Sequence, residues 1–415
     1  MSIDMDKVDR RMNLLVVMVR YPFPAQSGGS IVAANSIQRL SKLHRIPFLC
    51  LGEQGQENEL SVFVDKAEFV ISRKLSIFSK IFRYILCRLS GNLSSAIACK
   101  FRELRARVSE LMDSENFDAI VLFELEALQC CAPRFYKKVV VNIEDPYSLK
   151  LIRMQSLSVW SLWQRVARFF DGLLTRHYER SVLPRLGKVL LLSAADAQDM
   201  RLQGKYENLG CVTYGVNKQS VNTIDFADRT GGMIVFSGNM HHLPNVDGIL
   251  YFLRNVFPLV LHDVPYTTLW IVGSNPDRRI YDVAGSLGEH VVITGKVDDV
   301  SEYLRQAVVS ICPVRLKVGV QTKILEALTF GTPVVTTSAG NSGIAGRSGE
   351  EMWVEDDPRN FAFRVVSLLR GENWSGLSEN GRKLVEDRFT WDRSAEELEQ
   401  HIKSNLAIQR DNFIQ

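Results

Sequence analysis

Apolar residues fall along this chain in short unbroken runs, each followed by a turn and then by a stretch where they recur every three or four positions. An unbroken apolar run of roughly four to eight residues suits a parallel strand buried on both faces, and the longer spacing marks a helix with one buried stripe. The first series predicts strands at Leu14–Val19, Pro47–Leu51, Phe69–Ile71, Ala119–Phe123, Val139–Ile143, Lys188–Leu192 and Val212–Tyr214. Helical spacing covers about 31–43, 75–89, 96–112 and 150–182. A polar segment, Asn217–Gly232, reads as a linker. Beyond it, strands are expected at Met233–Ser237, Thr268–Val272, Val291–Thr294, Val308–Cys312, Pro333–Thr337 and Met352–Val354. Helices are expected near 245–256, 276–287, 299–306, 321–330, 358–370 and 376–387, with a last amphipathic one over about 391–407. This alternation predicts two doubly wound parallel sheets. The expected division is 1–220, 221–387 and a terminal helical segment, 388–415.

Bulk properties narrow the picture. A chain of 415 residues exceeds one ordinary core. No apolar run reaches the 18 or so residues of a membrane span, and the charged start, Met1 to Lys7, lacks a signal-peptide core. The seven cysteines, Cys50, Cys87, Cys99, Cys130, Cys131, Cys211 and Cys312, form no C-x-x-C pair, so reduced thiols in a cytoplasmic protein are expected. The net charge of +3 is split. Residues 1–220 hold 31 Lys and Arg against 22 Asp and Glu, or +9; the rest hold 19 against 25, or −6. A basic half suggests an anionic partner, such as a membrane surface, a lipid phosphate or a polyanion.

The chemistry concentrates between Arg315 and Thr337. The segment reads as a glycine turn at Gly319, a short helix, a tight turn at Gly331 and a buried strand. Thr322, Lys323 and Glu326 fall within about one helical turn and can share a side, with Ile324, Leu325 and Leu328 on the buried side. A helix start with Lys323 in its first turn and Arg315 just upstream suits a diphosphate. A carboxylate one turn deeper, Glu326, can accept hydrogen bonds from a ribose diol. An amphipathic helix with a solvated Glu and Lys is the plain alternative.

The pattern Gly319, Lys323, Glu326, Ala327, Gly331, Pro333, Val334 and Val335 resembles the donor-site motif of retaining glycosyltransferases of family four. That resemblance implies an α/β chain of the GT-B fold: two Rossmann-like doubly wound parallel-sheet domains with a C-terminal crossover helix returning to the first. One position departs. Val318 stands where many members carry a glutamate ahead of the glycine, and Pro313-Val314-Arg315 resembles a subgroup with Pro-x-Arg upstream. The resemblance implies an N-terminal acceptor domain and a C-terminal nucleotide-sugar domain. It assigns Arg315 and Lys323 to the diphosphate and Glu326 to the ribose, with Gly319 and Thr322 beside them. Metal-independent transfer with retention is implied too, in keeping with Asp4-Met5-Asp6 as the lone D-x-D, in the N-terminal tail.

Other constellations join this one. Ser27-Gly28-Gly29-Ser30 lies between the first strand and its helix, where open sheets bind ligands; it is a flexible turn or a loop against the donor's diphosphate and sugar. Gly238 and Asn239 open the second domain where the family has its phosphate-side glycine turn, with Asn239 and Asn245 near the places of its usual basic residues. His241-His242 is a weak metal candidate, because adjacent histidines point apart, and no metal is expected. Lys296 and Val297 follow the strand Val291–Thr294, beside the nucleobase in similar enzymes; the plain reading is a helix-start turn. Glu124 and Glu126 follow Ala119–Phe123 at the mouth of the sheet. Glu124 is the candidate acceptor-side base, and Glu144-Asp145 are rivals. Tyr214-Gly215-Val216-Asn217 is similar to the family's turn before the linker.

Two basic, aromatic segments, 73–88 and Trp160–Phe170, either lie on an anionic bilayer or pack as core helices with a solvated basic face. No nucleic-acid motif is present. The expected function is transfer of a hexose from a nucleoside-diphosphate sugar, UDP- or GDP-linked and a substrate rather than a cofactor, to a hydroxyl of a polysaccharide, a lipid-linked glycan or a small molecule. The alternatives are a nucleotide-sugar 2-epimerase on the same fold, a dinucleotide-dependent oxidoreductase (which lacks its glycine fingerprint) and a non-catalytic binding subunit.

Overall fold

The computed structural model describes residues 11–25, 27–52, 60, 62–70, 101–155, 161–217, 225–317 and 319–414. The expected helix at 75–89, the basic segment 73–88, Cys87, Cys99, Trp160, Val318 and Asp4-Met5-Asp6 lie outside the described residues. The chain forms two compact units. The first comprises Met1–Ile152, Ala167–Gly215 and Trp391–Gln415, and the second Arg153–Val166 and Val216–Thr390.

In the first unit a seven-stranded sheet runs in the order β3-β2-β1-β4-β5-β6-β7. Its strands are β1 (Leu14–Met18), β2 (Pro47–Leu51), β3 (Lys66–Val70), β4 (Ala119–Leu122), β5 (Val139–Ile143), β6 (Lys188–Leu191) and β7 (Leu209–Cys211). Every strand pairing is parallel. All five residues of β1 are buried, as its Leu-Leu-Val-Val-Met run demands. Helices α1 (Gly28–Leu40), α2 (Phe101–Ser114), α3 (Tyr147–Met154), α4 (Leu162–Val182) and α5 (Ala194–Gln203) belong to the connections of this series. The helical spacing expected across 150–182 is thus two helices. The expected strand at Val212–Tyr214 is displaced to Leu209–Cys211. Val212 N–H still reaches Leu191 O, but the Thr213 N–H donates to the Glu397 carboxylate (2.7 Å), which ends the ladder.

The second unit holds a six-stranded parallel sheet, β10-β9-β8-β11-β12-β13. Its strands are β8 (Met233–Ser237), β9 (Thr268–Val272), β10 (Val291–Gly295), β11 (Val309–Cys312), β12 (Val334–Thr336) and β13 (Trp353–Val354). Helices α6 (Leu243–Asn255), α7 (Phe257–Asp263), α8 (Arg278–Ala284), α9 (Ser301–Gln306), α10 (Thr322–Thr329), α11 (Ser338–Asn341), α12 (Pro358–Leu369) and α13 (Trp374–Arg388) surround it. Phe236, Phe252, Phe257, Phe361 and Trp374 fill its core. The segment read as a linker contributes to this interior. Arg229 is 6% exposed, and its guanidinium donates to the carbonyls of Leu304, Ala307, Phe330 and Gly331 and to Thr332 Oγ1. Burial pulls its pKa down to about 10.

The last helix, α14 (Trp391–Ile414), belongs to the first unit and packs along α1. Leu398 and Ile402 are fully buried, Arg39 Nε donates to Asp392 Oδ1 (2.6 Å), and His44 Nε2 meets Glu399 Oε1 (3.0 Å). In each unit the strand order reverses direction beside the first strand: β1 lies between β2 and β4, and β8 between β9 and β11. In open α/β sheets the crevice outside the carboxyl ends at such a reversal is where ligands bind.

Candidate functional site

In the second unit, the reversal point is built on glycine. The backbone leaves β8 at Gly238 with φ +145°, and Gly273 after β9 has φ +148°. A side chain at Gly273 would place its Cβ 1.7 Å from Gly238 O, so the two turns interlock only as glycines. Asn245, in the first turn of α6, donates from Nδ2 to Asn239 O (2.9 Å), and Asn239 Oδ1 accepts from His241 N–H (2.9 Å). Asn245 Oδ1 in turn accepts from Lys323 Nζ at 2.6 Å.

Lys323 is only 7% exposed, and its Nζ lies 4.4 Å from the centre of the Phe236 ring. A Cβ at Gly238 would come within 3.1 Å of that nitrogen, so the glycine makes room for the ammonium. Burial lowers the Lys323 pKa, while Cys312 and Glu326 pull it up. Among the described residues no carboxylate forms an ion pair with Lys323. Its hydrogen-bond partner is a neutral amide, which orients the cation without a bonded counter-ion. It stands in the first turn of α10, whose N-cap, Gln321, makes no side-chain capping bond. A helix start without a side-chain cap and a buried cation without a bonded counter-ion together favour an anion.

Arg315 is held differently. Its guanidinium forms a forked pair with Asp247 of α6, Nε to Oδ2 at 2.9 Å and Nη2 to Oδ1 at 2.8 Å, and stacks 4.9 Å from the Tyr251 ring. The Asp247 side chain is 1% exposed and that of Arg315 is 42% exposed, so the acid anchors and the cation faces out. Thr322 is half-buried and Glu326 exposed, whereas Lys323 tucks inward. The three do not line one solvent face; Ile324, Leu325 and Leu328 are buried as expected. Desolvation by the surrounding protein raises the Glu326 pKa, and Lys323 opposes it. Gly319 has φ +58°, and its carbonyl abuts Gly343 so closely that a Cβ there would fall 2.2 Å away. Lys296 is exposed just past β10, with Val297 half-buried beside it.

In the first unit, the carboxyl ends of β1, β4 and β5 border a cavity of about 430 Å³, lined by Arg20, Glu124, Glu126, Glu144, Tyr147 and Lys150 among others. Tyr147 Oη donates to Glu126 Oε1 (3.0 Å), and Lys150 Nζ to Asp145 Oδ2 (2.8 Å). Glu124 Oε2 is enclosed and has no hydrogen-bond partner. Burial pushes the Glu124 pKa up to about 7; Arg20 opposes this, and Glu126 and Glu144 add to it. Burial raises Glu144 as well.

The glycine pair takes a different place from the one expected. Gly28 and Gly29 form the first turn of α1, not a loop before it, because Ser27 and Ser30 close a capping box one residue ahead. The Glu144 carboxylate lies directly against them, and a Cβ at Gly29 would fall 2.1 Å from its Oε1. Their lack of side chains thus accommodates a carboxylate of the same unit.

Asp247, Tyr251, Arg20, Tyr147 and Lys150 escaped the sequence reading. Asp247 left one signal: an acid inside the apolar stretch Val246–Leu250 of a helix needs a cationic partner. Arg20 and Lys150 left none, since surface cations are common.

Comparison with known proteins now adds a class. Residues 231–371, spanning β8 to the end of α12, match the family described as Glycosyl transferases group 1. The fold is similar to sucrose-phosphate synthase from Thermosynechococcus elongatus (TM-score 0.71, 16% identity, 95% of this chain and 100% of that one). It is also similar to a glycosyltransferase from Rickettsia africae (0.65, 14%, 96% and 99%) and to Anabaena HepE in complex with UDP and glucose (0.63, 11%, 95% and 100%). An uncharacterised 44.6 kDa protein in the cps region of Klebsiella pneumoniae is 18% identical over 385 residues, 88% of this chain and 92% of the relative. Fold and matched domain together define a glycosyltransferase of the GT-B type.

Proposed function

We propose that the protein transfers a hexose, with retention and without a metal ion, from a nucleoside diphosphate sugar to a hydroxyl of a glycan, lipid-linked or small-molecule acceptor, and does so in the cytoplasm. The observation that carries this reading is Lys323: a buried ammonium, bonded to an amide and not to an acid, at the start of α10 and against Gly238. A diphosphate is the ligand such a place stabilises, and stabilising it helps a leaving group depart. The binding of UDP and glucose by the similar Anabaena protein supports UDP as the carrier, with GDP the other choice.

In this reading Arg315, aimed by Asp247, shares the diphosphate charge, and Glu326 takes the ribose hydroxyls. Gly319 and Thr322 frame the phosphates with Gly238 and Asn239, and Lys296 and Val297 stand by the base. The first unit serves the acceptor. Glu124, titrating near neutrality, is suited to take the proton of an acceptor hydroxyl.

The test is a thermal-shift panel of UDP, GDP and their sugars, followed by product analysis. A ligand at 100 times its Kd adds about 2.7 kcal/mol of stability. Stabilisation by a nucleoside diphosphate that disappears in Lys323→Ala supports the reading; no stabilisation by any of them sinks it. Release of free sugar and nucleotide, with no acceptor consumed, would move the assignment to an epimerase.

A further inference from the structure

Helix α4 is built inside out. The residues it buries are Gly172, Thr175, Tyr178 and Glu179; only Tyr178 joins the hydrophobic core, and Glu179 is 1% exposed with its carboxylate bonded to Ser148. On the opposite face Trp163, Val166, Phe170 and Leu173 follow one another at three- and four-residue spacing, flanked by Leu162, Phe169 and Leu174. Trp163 is 83% exposed, Leu162 73% and Phe170 58%. Of the fifteen large hydrophobic side chains exposed among the described residues, these are seven. Scattered exposed apolar residues need no explanation, but a continuous helical stripe of them does. The expectation that Trp160–Phe170 packs as a core helix fails over 162–170, because its apolar side chains face out. The buried side of α4 gives the core a single large apolar residue, Tyr178.

Charge selects what covers the stripe. At about 100° per residue, Arg165, Arg176 and Arg180 run along one border of the apolar arc; Arg165 and Arg176 are half-buried, and Arg180 is exposed with one guanidinium nitrogen donating to Gln203 O. The acids of α4 are Asp171, on the other border, and the buried Glu179. Arginine stems can lie along apolar material while their heads stay at a polar boundary. We propose that this face of α4 lies in the plane of an anionic lipid bilayer, its aromatic residues among the acyl chains and its arginines at the lipid phosphates. Among the described residues no helix is long and apolar enough to cross a membrane. This inference rests on burial and charge alone and stands apart from the sugar-transfer reading.

The experiment is co-sedimentation of the full chain with vesicles of phosphatidylcholine, alone or mixed with phosphatidylglycerol, at low and high salt. Two variants run beside it: Phe169→Ser with Phe170→Ser, and Arg165→Glu with Arg176→Glu. Thermal melts check that both stay folded; because the changed apolar side chains are exposed, Tm should hold. The expected result is binding to mixed vesicles at least about tenfold tighter than to phosphatidylcholine, weaker at high salt, and lost in both variants. Equal binding to the two kinds of vesicle, or binding to neither, overturns the proposal. So does a dimer in sedimentation velocity that Phe170→Ser dissociates, which would give the face to a second copy of the chain. Should the double serine variant unfold, Trp163→Ser alone gives the same reading, since that residue is the most exposed of the stripe.

Discussion

The two sheets end in opposite chemistry. At the β1 reversal the walls are carboxylates, Glu124, Glu126, Glu144 and Asp145, with Arg20 and Lys150 among them. At the β8 reversal they are cations, Lys323 and Arg315, each steered by a residue of α6. The bulk charges run the other way: the half bearing the acidic cavity is +9 and the half bearing the cations is −6. Net charge speaks to long-range attraction, and the sign of a site is set by the few groups that a fold brings to one crevice. The contrast extends to proton affinity. Burial with like-charged neighbours holds Glu124 ready to exchange a proton near neutrality, whereas Lys323, also buried, is bonded through its ammonium hydrogens to Asn245.

Mutations should separate the two ends. The largest loss is expected from Lys323→Ala, on the order of a thousandfold in kcat/KM for transfer, the scale seen when one charge-stabilising donor is removed from a site. It should also abolish thermal stabilisation by UDP or GDP. Glu124→Gln should lower kcat by about a hundredfold and flatten the pH–rate profile near neutrality, yet keep that stabilisation intact. If both variants lose nucleotide stabilisation alike, the division of labour between the ends is wrong. Asp247→Asn is a milder test: Arg315 keeps its charge but loses its fork, so about a tenfold rise in donor KM is expected. A steady-state titration of donor measures it, and an unchanged KM would remove Arg315 from the diphosphate.

The smallest effect is on stability. Glu124 has its pKa raised in the folded chain, so folding holds its proton more tightly than the unfolded state does. The contribution is full below about pH 4.5 and is lost as pH rises through about 7. Glu124→Gln should therefore match the parent in stability at acid pH and exceed it at pH ~8 by on the order of 1–2 kcal/mol after allowance for partial solvation, read as a higher Tm. A Tm difference that shrinks as the pH climbs would contradict the raised pKa.

Most strands were legible, because they are continuous apolar runs bounded by turns. β3 was expected at Phe69–Ile71 because Lys66 and Glu68 interrupt its apolar pattern, and it begins at Lys66. β7 was displaced because Thr213 bonds to a carboxylate about 180 residues away, which no local pattern encodes. The meeting of Lys323 with Gly238 followed from strand order, since a doubly wound sheet brings the ends of β8 and β11 together. What sequence hid was orientation. Spacing suggested that Lys323 and Glu326 share a side, and the pull of Asn245 on the lysine separates them. Gly28 and Gly29 looked like a ligand loop, and only coordinates show Glu144 occupying the space beside them. For α4 the sequence left both directions open, because periodicity says which residues share a stripe and not which way it turns.

The final helix has a consequence for how the molecule is made. Residues from Trp391 onward complete the packing of α1, so the opening portion of the polypeptide waits for its closing portion. A nascent chain halted at the ribosome before that point would present a finished second sheet and an unsealed first one, with the hydrophobic faces that Leu398 and Ile402 normally cover laid bare to chaperones.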